Sequence, residues 1–377
     1  MKTYYEFFAG GGMVHAALEQ SWTCLFANDI CPKKADSYKA NWGQTALKVA
    51  DIHQLTSKDL PGYASLAWAS FPCQDLSLAG NQAGLNAERS GAFWGYWALI
   101  RQLIAEGRKP SIIVLENVCG ALSSHDGKDF QTLISTLMAE GYLVGAFIVD
   151  AVHFVPQSRP RLFIVGLANE AVLPKNLISD AASPAWHSDA VIRAYNKLSS
   201  NEKLEWVWWN PSMPSIQPLM LDSIIEAEPN GVKWNTMAET TKLINMMSDI
   251  NRQKVIQAQA AGRLKVGTVY KRTRNKVQRA EVRFDGIAGC LRTPSGGSSR
   301  QTIVIVDGAN IRSRLLSPRE TARLMGLGDS YVLPLKYNDA YHLTGDGVVV
   351  SVVKHLDATL FTPIIAAQRQ IESKVAA

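Results

Sequence analysis

Short apolar runs alternate with helix-like stretches over the first 170 residues, and this alternation is the strongest constraint on what the chain can fold into. YYEFFA precedes MVHAALEQS, CLFAND precedes CPKKADSYKANW, SLAWASF precedes FWGYWALIRQLIAEG, and SIIVLEN precedes DFQTLISTLMAEGY. LVGAFIVD and RLFIVGLA close the series. The expectation is an α/β fold with a doubly wound, mostly parallel sheet of Rossmann-like type. From about residue 178 the pattern gives way to polar, Pro- and Trp-bearing sequence such as SPAWHSD and EWVWWNPSMPS. After about Tyr337 one apolar segment returns, VVVSVVKHLDATLF. These changes divide the chain into residues 1–178, a second, smaller domain over 179–337, and a C-terminal segment 338–377 that rejoins the first domain. There is no internal repeat and no low-complexity tract.

Composition narrows the class. With 377 residues, 47% of them hydrophobic, and a net charge of +6, the chain reads as a soluble globular protein of two domains. No run of about 18 apolar residues occurs, and MKTYYEFFAGGG reaches Glu6 and a glycine cluster too early for a signal peptide, so no membrane is expected. The five cysteines, Cys24, Cys31, Cys73, Cys119 and Cys290, are odd in number and form no CxxC pair. They argue against a disulfide framework and against a zinc site, which points to a cytoplasmic chain with free thiols. The charge is uneven. Between Arg252 and Arg283 there are ten basic residues against the single acid Glu281. Such a run is either a solvated face or a polyanion-binding surface, and Tyr270 within KVGTVYKRTRNKVQ sharpens the second reading.

FFAGGGMVHAAL sets Gly10, Gly11 and Gly12 between the first strand and the first helix, where such sheets bind ligands. A pyrophosphate fingerprint fails, because counting GxGxxG from Gly10 puts His15 at the third glycine position. Asp29, at the end of CLFAND, is placed to accept both hydroxyls of a ribose, and Asp51 in VADIH to read an adenine amino group. Together they suggest S-adenosyl-L-methionine. Taken singly, the glycines make a tight turn and the two acids cap helices.

SLAWASFPCQDLSLAG puts Cys73 just past a buried strand, on a loop begun by Pro72. It is either an inert core thiol or, at the sheet edge that carries chemistry, a nucleophile. SIIVLENV ends in Glu116 and Asn117, where a carboxylate at the mouth of a buried strand suits a proton donor and equally a cap or ion-pair partner. VPQSRPRLFIVG spaces Gln157, Arg159 and Arg161 so that an extended segment points all three to one side. Two arginines aimed at one cleft suit a phosphate or a carbonyl oxygen.

Taken in order, FAGGG, PCQ, LENV, QSRPR, RLLSPRETARLMG and GDGVVVSVV resemble the cytosine-C5 DNA methyltransferases of bacterial restriction–modification systems, and the match covers all but the variable middle. The resemblance implies that a Cys73 thiolate adds to C6 of cytosine and makes C5 nucleophilic. It gives Glu116 the ring N3, Arg161 and Arg159 the base carbonyl and adjacent phosphate, and Asn117 the exocyclic amine or the cysteine loop. The target base must be flipped from the duplex, with Gln74 filling the space and Gln157 among the DNA contacts. For the cofactor it assigns Phe8, Gly10 and Gly12 to the methionine and adenosine cleft, Asp29 to the ribose, Ile30 to the adenine face, and Asp51 with Ile52 to the adenine edge. Pro72 would line the sulfonium region, and Val348 and Val350 the same wall. S-adenosyl-L-homocysteine is the implied product, and no metal is implied. The chain departs from the pattern at Asp346, where Asn is common, and at Leu76, where an aromatic is frequent.

The resemblance makes residues 179–337 a target recognition domain. Arg272 and Arg274 in the basic run suit phosphates. In LRTPSGGSSRQT, Arg292 and Arg300 suit guanines and Gly296 and Gly297 allow close approach, although the stretch also reads as a flexible hairpin. Arg319 and Glu320 are expected to start a helix with an internal ion pair. The implied partners are double-stranded DNA and a cognate restriction endonuclease acting on the same site, for a monomer of bacterial or phage origin. Three other readings stand beside this one: a transfer-RNA methyltransferase, against which the basic middle argues; a DNA-binding protein with a decayed site, against which Cys73, Glu116, Arg159 and Arg161 argue; and a nicotinamide oxidoreductase, against which His15 argues.

Overall fold

The computed structural model describes residues 2–72, 91–215, 219–274, 277–293 and 300–375. They form two units, one of residues 1–149, 160–215 and 352–377, the other of 150–159 and 216–351.

The first unit is built on a seven-stranded sheet. Its strands are β1 (Thr3–Phe7), β2 (Thr23–Asp29), β3 (Leu47–Val49), β4 (Leu66–Ala69), β5 (Ile112–Val118), β6 (Tyr142–Asp150) and β7 (Pro160–Ala168), in the order β3-β2-β1-β4-β5-β7-β6. Strands β1 to β5 pair in parallel, while β7 runs antiparallel to β5. Every residue of β1 and β4 is buried, as expected of strands covered on both faces. The crossover helices are α1 (Met13–Leu18), α2 (Pro32–Trp42), α3 (Ala92–Ala105) and α4 (Lys128–Ala139). α3 buries Phe93, Tyr96, Trp97, Ile100 and Leu103, a helical stripe, and α4 buries Phe130, Leu133, Ile134 and Leu137.

The Trp-rich stretch after residue 178 belongs to this unit rather than to the second. Here β8 (Ile178–Ser179) pairs with β9 (Trp208–Trp209), with α5 (Asp189–Asn196) and α6 (Ser200–Leu204) between them. Val144 N–H donates to Glu205 O at 3.1 Å and Val207 N–H to Val144 O at 2.9 Å, so residues 205–207 cover the edge strand β6. Gly145 permits this approach, since a Cβ there would collide with the Val207 carbonyl. At the far end of the chain, Asp357 accepts Trp22 Nε1–H at 2.7 Å and Ser21 Oγ–H at 2.8 Å, tying the last helices back to this unit. The helical stretch Tyr337–Gln370 contains an 18-residue window apolar enough to span a membrane, but 61% of that window is buried in the protein, as in a core helix.

The second unit carries α7 (Met237–Asn245) and α8 (Asp249–Ala260) on a four-stranded antiparallel sheet. The strands are β10 (Lys265–Arg274), β11 (Val277–Arg283), β12 (Thr302–Asp307) and β13 (Asn310–Leu315), in the order β11-β10-β12-β13. Leu243, Met247, Val255, Val269, Val282, Val304 and Val306 form its core. α9 (Pro318–Leu324) starts where expected, behind Ser317 and a capping box with Glu320. The ion pair there is different, because Glu320 meets the buried Arg314 at 2.6 Å, while Arg319 donates to the carbonyls of Gly328 and Tyr331. α10 (Tyr337–Asp346) also lies in this unit. The divisions therefore fall at 215/216 and 351/352, not at 178/179 and 337/338.

Candidate active site

The glycine turn forms because the chain leaves β1 in backbone conformations that few residues tolerate. Phe8, Gly10 and Gly12 have φ of 59°, 56° and 75°. A Cβ at Gly12 would run into the Trp42 indole and lie 2.9 Å from Tyr38, so packing demands that glycine. Gly10 is different. A Cβ there would meet only Lys34 Cδ, 4.0 Å away, which leaves its backbone open to a ligand. Asp29 locks the turn, accepting Gly10 N–H at 2.8 Å through Oδ2 and Cys31 N–H at 2.7 Å through Oδ1. A carboxylate offers about four acceptor positions, so two remain for hydroxyls. Ile30 beside it is 63% exposed. On the next strand over, Asp51 lies past the end of β3 and caps a short helical turn through His53 N–H at 3.0 Å, with Ile52 buried behind it. The structure thus collects these residues at the carboxyl ends of three adjacent strands.

Beneath the turn lies a buried polar cluster that sequence reading missed. Burial, with the Asp29 carboxylate adding to it, pushes the Glu6 carboxyl well above the usual range. Burial also holds the His15 imidazole down to about 4 and, with Glu6, pushes the Cys24 thiol up to about 12. His15 Nδ1 is 2.9 Å from Tyr38 Oη, and its ring stacks on Trp42 with centroids 4.8 Å apart. Burial thus disfavours the charged form of each of these groups, which pack beneath α1 and the turn. The signal available was Glu6, the lone acid in an apolar strand.

Two strands along, β5 and β7 bring the expected acid and one arginine together. Their antiparallel register sets Val118 opposite Arg161 and Glu116 opposite Phe163. Arg161 Nε comes within 3.3 Å of Glu116 Oε1, with both side chains mostly buried. Asn117 is buried and its Oδ1 accepts Val118 N–H at 2.8 Å, while Nδ2 has no partner among the described residues. Pro72 is exposed just beyond β4. Cys73, Gln74 and Leu76 lie outside the described residues, as do Gly296 and Gly297.

The sequence model of C-5 cytosine-specific DNA methylases matches residues 2–362. The chain belongs to that family. It is 27% identical to the type II methyltransferase M.DsaV of Dactylococcopsis salina, over 98% of this chain and 89% of the relative. It is 24% identical to the type II methyltransferase M.HhaI of Haemophilus parahaemolyticus, over 94% of this chain and 92% of the relative. In fold it is similar to Dnmt2 methyltransferase of S. pombe, with a TM-score of 0.59, 20% identity, and 97% and 99% of the two chains covered. It is also similar to the Entamoeba histolytica methyltransferase EhMeth, with a TM-score of 0.64, 15% identity, and again 97% and 99% covered.

Gln157 and Arg159 belong to the second unit and Arg161 to the first, the chain passing between them at Arg159 and Pro160. Gln157 is fully buried, donating to Leu324 O at 2.7 Å and accepting Leu291 N–H at 2.9 Å. Arg159 is 1% exposed, and its guanidinium donates to the carbonyls of Leu291, Gly345 and Gly347 at 2.7–2.8 Å. Val348 and Val350 are buried in the second unit, and Val350 N–H donates to Met325 O at 2.9 Å.

The basic run folds mostly into α8 and the β10–β11 hairpin. Arg272 stands directly opposite Arg279, and both are exposed. Like charges so placed are unfavourable unless an anion lies across them. Glu281 balances Arg272 at 3.6 Å. Arg274 ends β10, Arg292 is exposed, and Arg300 is half-buried over the Tyr337 ring at 5.5 Å.

Proposed function

We propose that this methylase transfers a methyl group from S-adenosyl-L-methionine to C5 of one cytosine within a specific duplex DNA sequence, releasing S-adenosyl-L-homocysteine. The observation that carries it is the Glu116–Arg161 pair at the carboxyl end of β5, in one sheet with the glycine turn and Asp29. The cofactor supplies an electrophilic methyl group. Gly10 and Asp29 would hold its methionine and ribose parts, and Phe8, Gly12, Ile30, Asp51, Ile52 and Pro72 its remaining surface, with Val348 and Val350 also assigned to it by the resemblance.

The protein's own task is to make C5 a nucleophile. The target base leaves the stack at a cost of about a few kcal/mol. The Cys73 thiolate forms a bond to C6, Glu116 donates a hydrogen bond or proton at ring N3, and the electron pair moves to C5. Arg161 serves both partners, fixing Glu116 and facing the base carbonyl. Asn117 Nδ2, buried at the same strand end, would hold the exocyclic amine or the cysteine loop. After methylation a base removes the C5 proton and Cys73 departs, restoring the aromatic ring. The second unit, with Arg272, Arg274, Arg292 and Arg300, reads the target. The modification would protect DNA from a cognate endonuclease in the cytoplasm of a bacterium, with the methylase acting as a monomer.

The test is adduct trapping. In duplex DNA synthesised with 5-fluorocytosine, C5 carries no proton to remove, so Cys73 cannot depart after methylation. The intact chain should form a denaturation-resistant DNA complex that depends on S-adenosyl-L-methionine, and Cys73→Ala should form none. No complex with the intact chain, or an equal one with Cys73→Ala, would contradict the reading.

A further inference from the structure

Gln157 and Arg159 converge on one residue of the second unit. The Leu291 N–H donates to Gln157 Oε1 at 2.9 Å, and the Leu291 carbonyl accepts Arg159 Nη1 at 2.8 Å. Ala288, three residues earlier, is fixed by the same stretch. Its N–H donates to Pro156 O at 2.7 Å and its carbonyl accepts Ser158 N–H at 2.9 Å. Gln301 closes the other side, donating from Nε2 to the Gly289 carbonyl at 2.6 Å. The backbone from Ala288 to Leu291 is thereby held by hydrogen bonds along its length, with the Leu291 side chain buried and the next residue, Arg292, exposed.

Breaking any of these buried hydrogen bonds would leave a polar group unsatisfied at a cost of about 1–3 kcal/mol, which favours this one arrangement. A chain held on both polar groups of Leu291 leaves Arg292 little freedom in where it emerges. A pre-positioned guanidinium loses less entropy on forming a two-pronged contact with an oxyanion or a guanine edge. Arg159 extends the same grip to the Gly345 and Gly347 carbonyls at the end of α10, at 2.7 and 2.8 Å.

We infer that Gln157 and Arg159 are positioning residues for target recognition: they clamp Leu291 so that Arg292 meets the DNA in a fixed orientation. This rests on the reading of the second unit as the part that binds DNA. It gives QSRPR two separate tasks, with Arg161 on the Glu116 carboxylate and Gln157 and Arg159 on the chain that carries Arg292.

A double-mutant cycle on the full chain tests it, with KM for unmethylated genomic DNA, kcat and the pattern of methylated sites as readouts. Arg292→Ala and Gln157→Ala should each raise the DNA KM about ten-fold, and more than they lower kcat. The double variant should be no worse than about the poorer single. Gln157→Glu keeps the acceptor for Leu291 N–H and should recover part of the loss. A broadened methylation site in Arg292→Ala identifies a guanine contact, and a uniform loss with a shallower salt dependence identifies a phosphate contact; both support the clamp. Multiplying effects of about a hundred-fold in the double variant, or an unchanged DNA KM in Gln157→Ala, would overturn it. Should Gln157→Ala not fold, Arg292→Ala is a surface change that still decides, because an unchanged DNA KM in that variant overturns the proposal alone. A wild-type chain that methylates no DNA overturns the methyltransferase reading and the clamp with it.

Discussion

Glu116 and Arg161 face each other across the β5–β7 pair, carboxylate oxygen and Nε 3.3 Å apart and both mostly buried. The antiparallel β7 makes this possible. A parallel strand at that place would deliver its first residues to the opposite end of the sheet. The pair sets a carboxyl group beside a fixed cation, the combination that the proposed addition of a thiolate to a pyrimidine ring would use.

Glu116→Gln keeps a hydrogen bond to Arg161 but loses the transferable proton. Methyl transfer should slow by about 10²–10⁴-fold, with cofactor affinity near wild type. Arg161→Ala should cost about 3–5 kcal/mol of stability as well, because it leaves the Glu116 charge buried without its partner. Single-turnover rates and denaturant melts of the two variants separate these effects.

The two glycines of the turn should respond in opposite ways. Gly12→Ala forces a Cβ against Trp42 and Tyr38 and should lower stability by about 1–3 kcal/mol. Gly10→Ala meets open space and pays only for its positive φ, about 1 kcal/mol, yet should weaken cofactor binding more than Gly12→Ala weakens it at equal folded fraction. Thermal melts beside calorimetric titration with S-adenosyl-L-homocysteine check both.

His15 and His187 are each held down to about 4, chiefly by burial. A base with a depressed folded-state pKa binds fewer protons folded than unfolded between about pH 4 and its ordinary value near 6.5. Stability should therefore fall as pH drops from 6.5 toward 4, and the loss should level off below. Allowing for solvent screening, His15 contributes on the order of 2 kcal/mol to that fall. His15→Gln should flatten the slope of stability against pH in that window. An unchanged slope would contradict the burial of His15 as a neutral imidazole beneath the glycine turn.

The opposed arginines of the β10–β11 hairpin imply a salt-sensitive contact. If Arg272 and Arg279 each neutralise one phosphate, Arg272→Ala/Arg279→Ala should make the plot of log affinity against log salt shallower by about 1.8. Binding to any duplex should weaken alike, with the preferred methylation site unchanged. Fluorescence anisotropy across a salt series reads the slope.

Much of this site could be read from the sequence because its chemistry sits at strand ends. Strand periodicity located Asp29, Asp51 and Glu116, and the register then decided that Glu116 meets Arg161. That Gln157 and Arg159 fall in one unit and Arg161 in the other was not legible, because spacing along an extended segment says nothing about where the chain changes unit. The stretch 179–215 was misassigned for a related reason. Its tryptophans cover the edge of β6 through single backbone bonds and a two-residue ribbon, too short to leave a period in the sequence. The Glu6, His15 and Cys24 cluster comes from three different elements that only the fold brings together, within 4.8 Å of one another.

Transfer of labelled methyl groups from S-adenosyl-L-methionine to unmethylated duplex DNA, run beside Cys73→Ala and beside transfer RNA, tests the central claim most directly. The account predicts label in the C5 position of DNA cytosine, none with Cys73→Ala, and little in transfer RNA. Label in neither nucleic acid while cofactor binding is intact, or label in transfer RNA alone, would contradict it.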